Sequence, residues 1–355
     1  MQDKFFTNQL SENEFPEGSI LDISKGGKIL IISDLHMGTG TRDDLYHNGE
    51  MLTCILEEYY NKNNWILILN GDIEELQRFS LDQIREKWAG LYRVFNLFAR
   101  DNRLYRIIGN HDEQLIYKKN MSYPYKIHQV IKIETGTIPA YVYHGHQLSA
   151  IYVRFNRLMG FFVKNFLKPF GIKNMTDSRS PYKRFKIEKK AYAFSLKNHC
   201  LSIIGHTHRA IFESLGRFDY IKFEIERLCR DYPASVGDDR NRIENEVTAL
   251  RKELSKLKRK ERRDMLRQSL YGDELPVPCL FNSGCPLGKK GFNAIEMTQE
   301  DIALVYWFTE GKSKKFVTRG GYKIEGITGR PYYRAVLNQN RLDYIFARIK
   351  LLGNQ

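Results

Sequence analysis

Cysteine is scarce in this 355-residue chain: Cys54, Cys200, Cys229, Cys279 and Cys285 are scattered, odd in number and contain no CxxC pair. They make no disulfide framework. Long apolar runs are missing too. The most apolar stretch, IYVRFNRLMGFFVKNFL, carries Arg154, Arg157 and Lys164, which makes it a costly bilayer span. The opening residues, MQDKFFTNQLSENEF, have no basic start followed by an apolar core, so no secretory signal is expected. A reducing, cytoplasmic home fits these absences. Acid is also short: 56 Lys+Arg against 42 Asp+Glu leave a formal charge of +14, which favours phosphates, nucleic acid or an acidic membrane surface as partners. There is no internal repeat and no low-complexity tract.

The chain has ample apolar material. At 42% hydrophobic and 13% aromatic residues it can fill a packed interior, which argues against wholesale disorder. Its length exceeds the ~250–300 residues at which one core usually stops growing. One main domain with large insertions or appendages is therefore expected.

KILIISDL (28–35) reads as a short buried strand, followed by a helical segment around 48–60 and a second strand, WILILNGD, at 65–72. Over 82–99, Ile84, Trp88, Leu91, Phe95 and Phe98 recur at three and four, the period of an amphipathic helix. LYRIIGNHD then ends a third strand at 112. Alternating strands and helices imply parallel pairing with right-handed crossovers, and in such sheets ligands bind beyond the carboxyl ends of the strands. The predicted strands end in SDLH, NGD, GNHD, HGH and GHTH.

Two stretches break the pattern. Between 150 and 198, Ile151, Phe155, Leu158, Phe162 and Phe166 form an apolar stripe, and residues 154–190 hold eleven Lys/Arg against two acids. From 217 to 276 the second stretch places Ile243, Val247, Leu250, Leu254 and Leu257 at a 4-3-4-3 spacing, a short coiled-coil-like seam that runs into KLKRKERR (256–263). Strand-like segments return at PCLFNSGC, FNAIEM and IALVYWF. The tail sets Leu342, Ile345, Phe346, Ile349 and Leu352 at helical spacing, a helix docked on the core or on a partner. The expected organisation is an N-terminal extension (1–27), a core over 28–216 and 277–309 with a lid-like helical insertion at 150–198, a basic helical insertion at 217–276, and a C-terminal extension (310–355).

Six of the nine histidines (His36, His111, His144, His146, His206 and His208) fall in the strand-end motifs, together with Asp34, Asp72, Asn110 and Asp112. Each has a plainer reading alone: Asp34 or Asp72 as a turn or helix cap, Asn110 as a turn residue, His144 as a satisfied buried histidine. Their joint recurrence at strand ends favours a metal site. Imidazole with carboxylate oxygen suits manganese, iron or zinc better than calcium or magnesium. His47, His128 and His199 match no motif and read as structural.

DLH (34–36), GD (71–72), GNHD (109–112), HGH (144–146) and GHTH (205–208), followed by NSG (282–284), resemble the ordered motifs of the calcineurin-like metallophosphoesterases. The resemblance covers roughly 28–210 and 278–308. It implies an α/β sandwich of two mixed β-sheets flanked by helices, and a dinuclear centre of divalent transition metals, manganese first and iron or zinc as alternatives. By the same resemblance Asp34, His36 and His208 bind one metal, Asn110, His144 and His206 the other, and Asp72 bridges them. A bridging hydroxide attacks phosphorus in line, His111 serves the departing oxygen as a general acid, and Asp112 orients His111. His146 and Arg209 stand beside this set, to support it or to touch substrate.

The catalytic set does not choose among monoesters, diesters and pyrophosphates of an anionic, phosphate-containing substrate. A helical insertion between the fourth and fifth motifs is similar to the acyl-binding lid of the UDP-diacylglucosamine pyrophosphatases, which would bring the chain to a membrane surface and a lipid-linked substrate. Those enzymes typically carry HGD where this chain has HGH, and arginine where His111 stands. The basic insertions equally suit nucleic acid, which would make the chain a nucleic-acid or nucleotide phosphodiesterase, and 240–268 could self-associate. A catalytically inactive scaffold on the same fold would lack one or more ligands, and none of the seven positions is missing.

Overall fold

A computed structural model describes residues 19–40, 45–117, 123–148, 181–212, 217–265, 277–287, 291–312, 317 and 322–352. Strands β1 (Ile20–Asp22), β2 (Lys28–Ile32), β3 (Ile66–Asn70), β4 (Leu104–Ile107), β5 (Ile127–His128), β6 (Val130–Glu134) and β7 (Ala140–Tyr143) come first. They are followed by β8 (Leu201–Ile204), β9 (Ala210–Ile211), β10 (Leu280–Ser283), β11 (Phe292–Thr298), β12 (Asp301–Thr309), β13 (Ile324–Gly326) and β14 (Tyr332–Arg341). They build two mixed sheets, six-stranded in the order β1-β6-β7-β8-β10-β9 and eight-stranded in the order β13-β14-β12-β11-β2-β3-β4-β5. As the strand–helix alternation predicts, β2, β3 and β4 pair in parallel, with Ile29 opposite Ile66 and Leu67 opposite Leu104.

The period-2 alternation of β2 explains the layering. Ile29 and Ile31 join the core between the two sheets, while Leu30 and Ile32 face the helices on the outer side. Those helices are α1 (Gly49–Ile55, continued by a π-helical turn over Leu56–Asn61), α2 (Leu81–Lys87) and α3 (Ala89–Arg100). The long helix expected over 82–99 is broken at Trp88, whose φ of −107° leaves the helical region. Its indole N–H donates to the Gly38 carbonyl at 2.9 Å, and a Cβ at Gly49 would come within 2.2 Å of the ring. Seating that indole wins over helix continuity. The short α4 (Gln114–Tyr117) follows the GNHD turn.

The flanking segments are more integrated than their sequence suggests. β1, inside the presumed N-terminal extension, pairs with β6. β14 pairs along β12 from Asp301↔Arg341 to Thr309↔Tyr332, so the presumed C-terminal extension widens the eight-stranded sheet. Helix α5 (Pro181–Asn198), the described part of the 150–198 insertion, buries Ile187, Ala191 and Tyr192 against the inter-sheet core. The stripe at 151–166, on which the lid-like expectation rests, lies outside the described residues. The second insertion forms α6 (Arg217–Asp231) and α7 (Asp238–Met265), packed on each other as a helical hairpin. The tail helix α8 (Leu342–Leu352) docks through Leu342, Ile345, Phe346 and Ile349, as its spacing predicts. No described helix is long and apolar enough to cross a membrane.

Candidate metal centre

The loops leaving β2, β3, β4, β7 and β8 meet at one end of the sandwich. The β2 and β3 loops run side by side, with Asp34 N donating to Gly71 O at 3.0 Å, His36 N to Asp72 O at 3.0 Å and Met37 N to Ile73 O at 2.7 Å. Asp34, His36, Asp72, His206 and His208 all have positive φ, between 45° and 62°. Such backbone costs on the order of 1–3 kcal/mol per residue and persists where the surroundings over-determine it. The neighbouring glycines are equally constrained: a Cβ at Gly109 would lie 2.2 Å from both the Asp72 amide nitrogen and Oδ1.

Two donor groups result, and they share Asp72. Asp34, His36, Asp72 and His208 form one, and Asp72, His144 and His206 the other, each with its ligand atoms within 4.8 Å of one another. His208 Nε2 lies 3.2 Å from Asp34 Oδ1 and 3.1 Å from His36 Nε2. His144 Nε2 lies 3.1 Å from Asp72 Oδ2, while its Nδ1 meets the Asn70 carbonyl at 2.8 Å. Both carboxylates are held below their ordinary range. Burial pushes them up, but the charge of His208 at Asp34 and of His144 and His111 at Asp72 outweighs it.

This donor set fits a pair of divalent cations. Two buried, ionised carboxylates are costly unless cations compensate them. Asn110 Oδ1 is buried with no hydrogen-bond partner among the described residues, as an atom reserved for a ligand would be.

Supporting contacts fix the ligands. Asp34 accepts from the His206 amide at 3.1 Å and from Ser33 Oγ at 2.5 Å. From the NSG turn, Asn282 Nδ2 donates at 3.0 Å to Gly205 O and to Thr207 Oγ1, locking the GHTH loop. His111 donates its amide to Asp72 Oδ1 at 2.8 Å, so the proposed acid and the shared carboxylate are tied through one hydrogen bond.

One expected pairing is wrong. Asp112 does not orient His111; its carboxylate accepts from Gly109 N at 2.6 Å and Ile73 N at 2.7 Å and is bound by the Arg106 guanidinium. Glu75 holds His111 instead, with both carboxylate oxygens 2.8 Å from Nδ1. The same carboxylate reaches His36 Nδ1 at 3.0 Å. Burial pushes Glu75 up, but the hydrogen bonds from His111 and His36 bring it down to about 2. The reciprocal effect raises His111: burial lowers it, and the charge of Asp72 with the Glu75 hydrogen bond more than offsets that. His36, Glu75 and His111 could themselves group around an ion, but these hydrogen bonds already close that set. The signal for Glu75 was present, since NGDIEE packs three acids into four residues.

Beneath the site, Arg106 is fully buried and also meets Glu74 Oε2 at 2.7 Å and the Tyr123 hydroxyl at 3.0 Å. His146 is buried beside the second group, its ring centroid 5.4 Å from His144 and 6.4 Å from His206. Arg209 is engaged bidentately by Glu188, which ties α5 to the GHTH loop.

The family model for calcineurin-like phosphoesterases matches residues 27–210, more than half of the chain. The chain belongs to this family. The match spans every motif from DLH to GHTH. None of the curated proteins matches the chain.

Proposed function

We propose that this phosphoesterase is a hydrolase with a dinuclear centre, in which Asp34, His36 and His208 hold one divalent cation, Asn110, His144 and His206 the other, and Asp72 both. The observation that carries the reading is Asp72, common to two otherwise separate buried donor groups. Bound cations would polarise a phosphoryl oxygen and lower the pKa of a water, which is what phosphoester hydrolysis requires. The mixed imidazole and carboxylate set favours manganese, with iron or zinc as alternatives.

The protein's own groups supply the rest. His111 lies against His36, ring centroids 4.6 Å apart. With Nδ1 committed to Glu75, its Nε2 is the atom left to carry a proton to the departing oxygen. Glu75 fixes the ring and favours its protonated form. Arg106, through Asp112, holds the 73 and 109 turns that carry Asp72 and Asn110 into place.

The test is His111→Ala. The variant should keep the metal content of the native protein while turnover falls roughly 10²–10⁴-fold, most on alkyl phosphates, whose leaving groups need protonation, and least on aryl phosphates. Full rate on an alkyl phosphate would overturn the assignment of the proton donor.

A further inference from the structure

Helix α7, with 28 residues, is the longest helix among the described residues, and the candidate metal centre leaves it unused. Its seam is occupied within the hairpin. Ile243 is buried, and Val247, Leu250 and Leu254 are half-buried, while α6 contributes the buried Ile221 and Leu228. The pairing is supported by a hydrogen bond from the Tyr232 hydroxyl to Glu244.

The opposite face has a different composition. Positions 252, 256, 259 and 263 recur at four, three and four. At about 100° per residue they share an arc of about 60°, centred roughly half a turn from the seam. They are Lys252, Lys256, Arg259 and Arg263. Over about 16 Å of helix rise these positions recur every 4.5–6 Å or so along the axis. Flanked by Asn245, Thr248 and Ser255, it holds no acidic and no large apolar residue between 241 and 263.

A helix lying in a lipid interface needs an exposed apolar face, and the α7 seam from Ile243 to Leu254 is buried or half-buried. A straight cationic stripe with short hydroxyl and amide neighbours matches a phosphodiester backbone, which carries about one charge per 1.7 Å of duplex. We propose that this face of α7 docks the phosphate backbone of a nucleic acid. The surface needs no metal, so the inference stands independently of the hydrolase reading.

The experiment uses the full chain and a fluorescently labelled oligonucleotide, single-stranded and duplex, with binding followed by anisotropy across salt concentrations. Four phosphate contacts steepen the dependence of log K on log salt by about 3 to 3.6. The variant Lys252→Gln/Lys256→Gln/Arg259→Gln/Arg263→Gln keeps helix-forming side chains. It should bind more than about tenfold more weakly at low salt, with a slope shallower by about 3, and hydrolyse an aryl phosphate as the native protein does. Lys256→Gln/Arg259→Gln should lose about half that slope, which guards against misfolding of the fuller variant. Native affinity and slope in both variants would overturn the proposal. So would native protein that binds vesicles of phosphatidylcholine and phosphatidylserine but no oligonucleotide. A binding difference that persists in protein without any hydrolytic activity would sink the hydrolase reading and leave this one standing.

Discussion

Asp72→Ala should abolish hydrolysis and strip metal from both halves of the centre. A group that merely orients a ligand typically contributes 10–100-fold to metal affinity or activity; a carboxylate shared by two donor sets should exceed about 100-fold. The substitution also orphans the His111 amide, which now donates to Asp72 Oδ1 at 2.8 Å, at a cost of about 1–3 kcal/mol. Asp72→Asn isolates the charge, because it keeps an oxygen for that amide. Elemental analysis and aryl phosphate hydrolysis on the same preparations check both. Native metal content and turnover in Asp72→Ala would rule out a bridging role.

Arg106→Leu should produce the largest loss of stability. The guanidinium is wholly buried between Glu74 and Asp112, and burial, which would lower its pKa, is outweighed by the charges of those two carboxylates. Removing the cation leaves two uncompensated carboxylates inside the protein, at about 3–5 kcal/mol, or a melting temperature lower by roughly 4–7 °C. Leucine cannot reproduce the hydrogen bond to Tyr123 either. The pH dependence separates this cause from simple packing loss. Burial already raises Asp112 and Arg106 opposes that rise, so without Arg106 the folded pKa of Asp112 lies further above that of the unfolded chain. Its stabilising contribution is then present below the unfolded value near 4 and lost as pH rises through the raised folded one. The deficit against the native protein should therefore shrink as pH falls from 7 towards 5. A variant that melts within about 2 °C of the native protein at pH 7, or a deficit flat with pH, would contradict the account.

The clustering of the candidate site was legible because its residues sit at strand ends, and strand ends are marked by apolar runs that stop at SDLH, NGD, GNHD, HGH and GHTH. Short strands and pairings distant in sequence were harder to see. β1 is three residues long and joins β6 more than a hundred residues away. β14 reads YYRAVLNQNR, too polar to announce a place in the sheet until β12 supplies its partner. The break at Trp88 depends on a carbonyl fifty residues away.

The exchange of Asp112 for Glu75 has a similar origin. Adjacency in GNHD suggests that the aspartate serves the histidine. Arg106, six residues earlier, claims that carboxylate, and the β3 loop brings Glu75 to the imidazole. A lone arginine inside the apolar strand LYRII was the available warning, since a buried charge requires partners. The α7 seam was visible as a repeat, but its occupant, α6, was not.

The most direct measurement is the metal content of the purified full chain, read together with aryl phosphate hydrolysis before and after chelation. The account predicts close to two divalent transition metal ions per chain, loss of hydrolysis when they are removed, and recovery when manganese is restored. A chain that binds no transition metal and gains no hydrolytic rate from any added would contradict it.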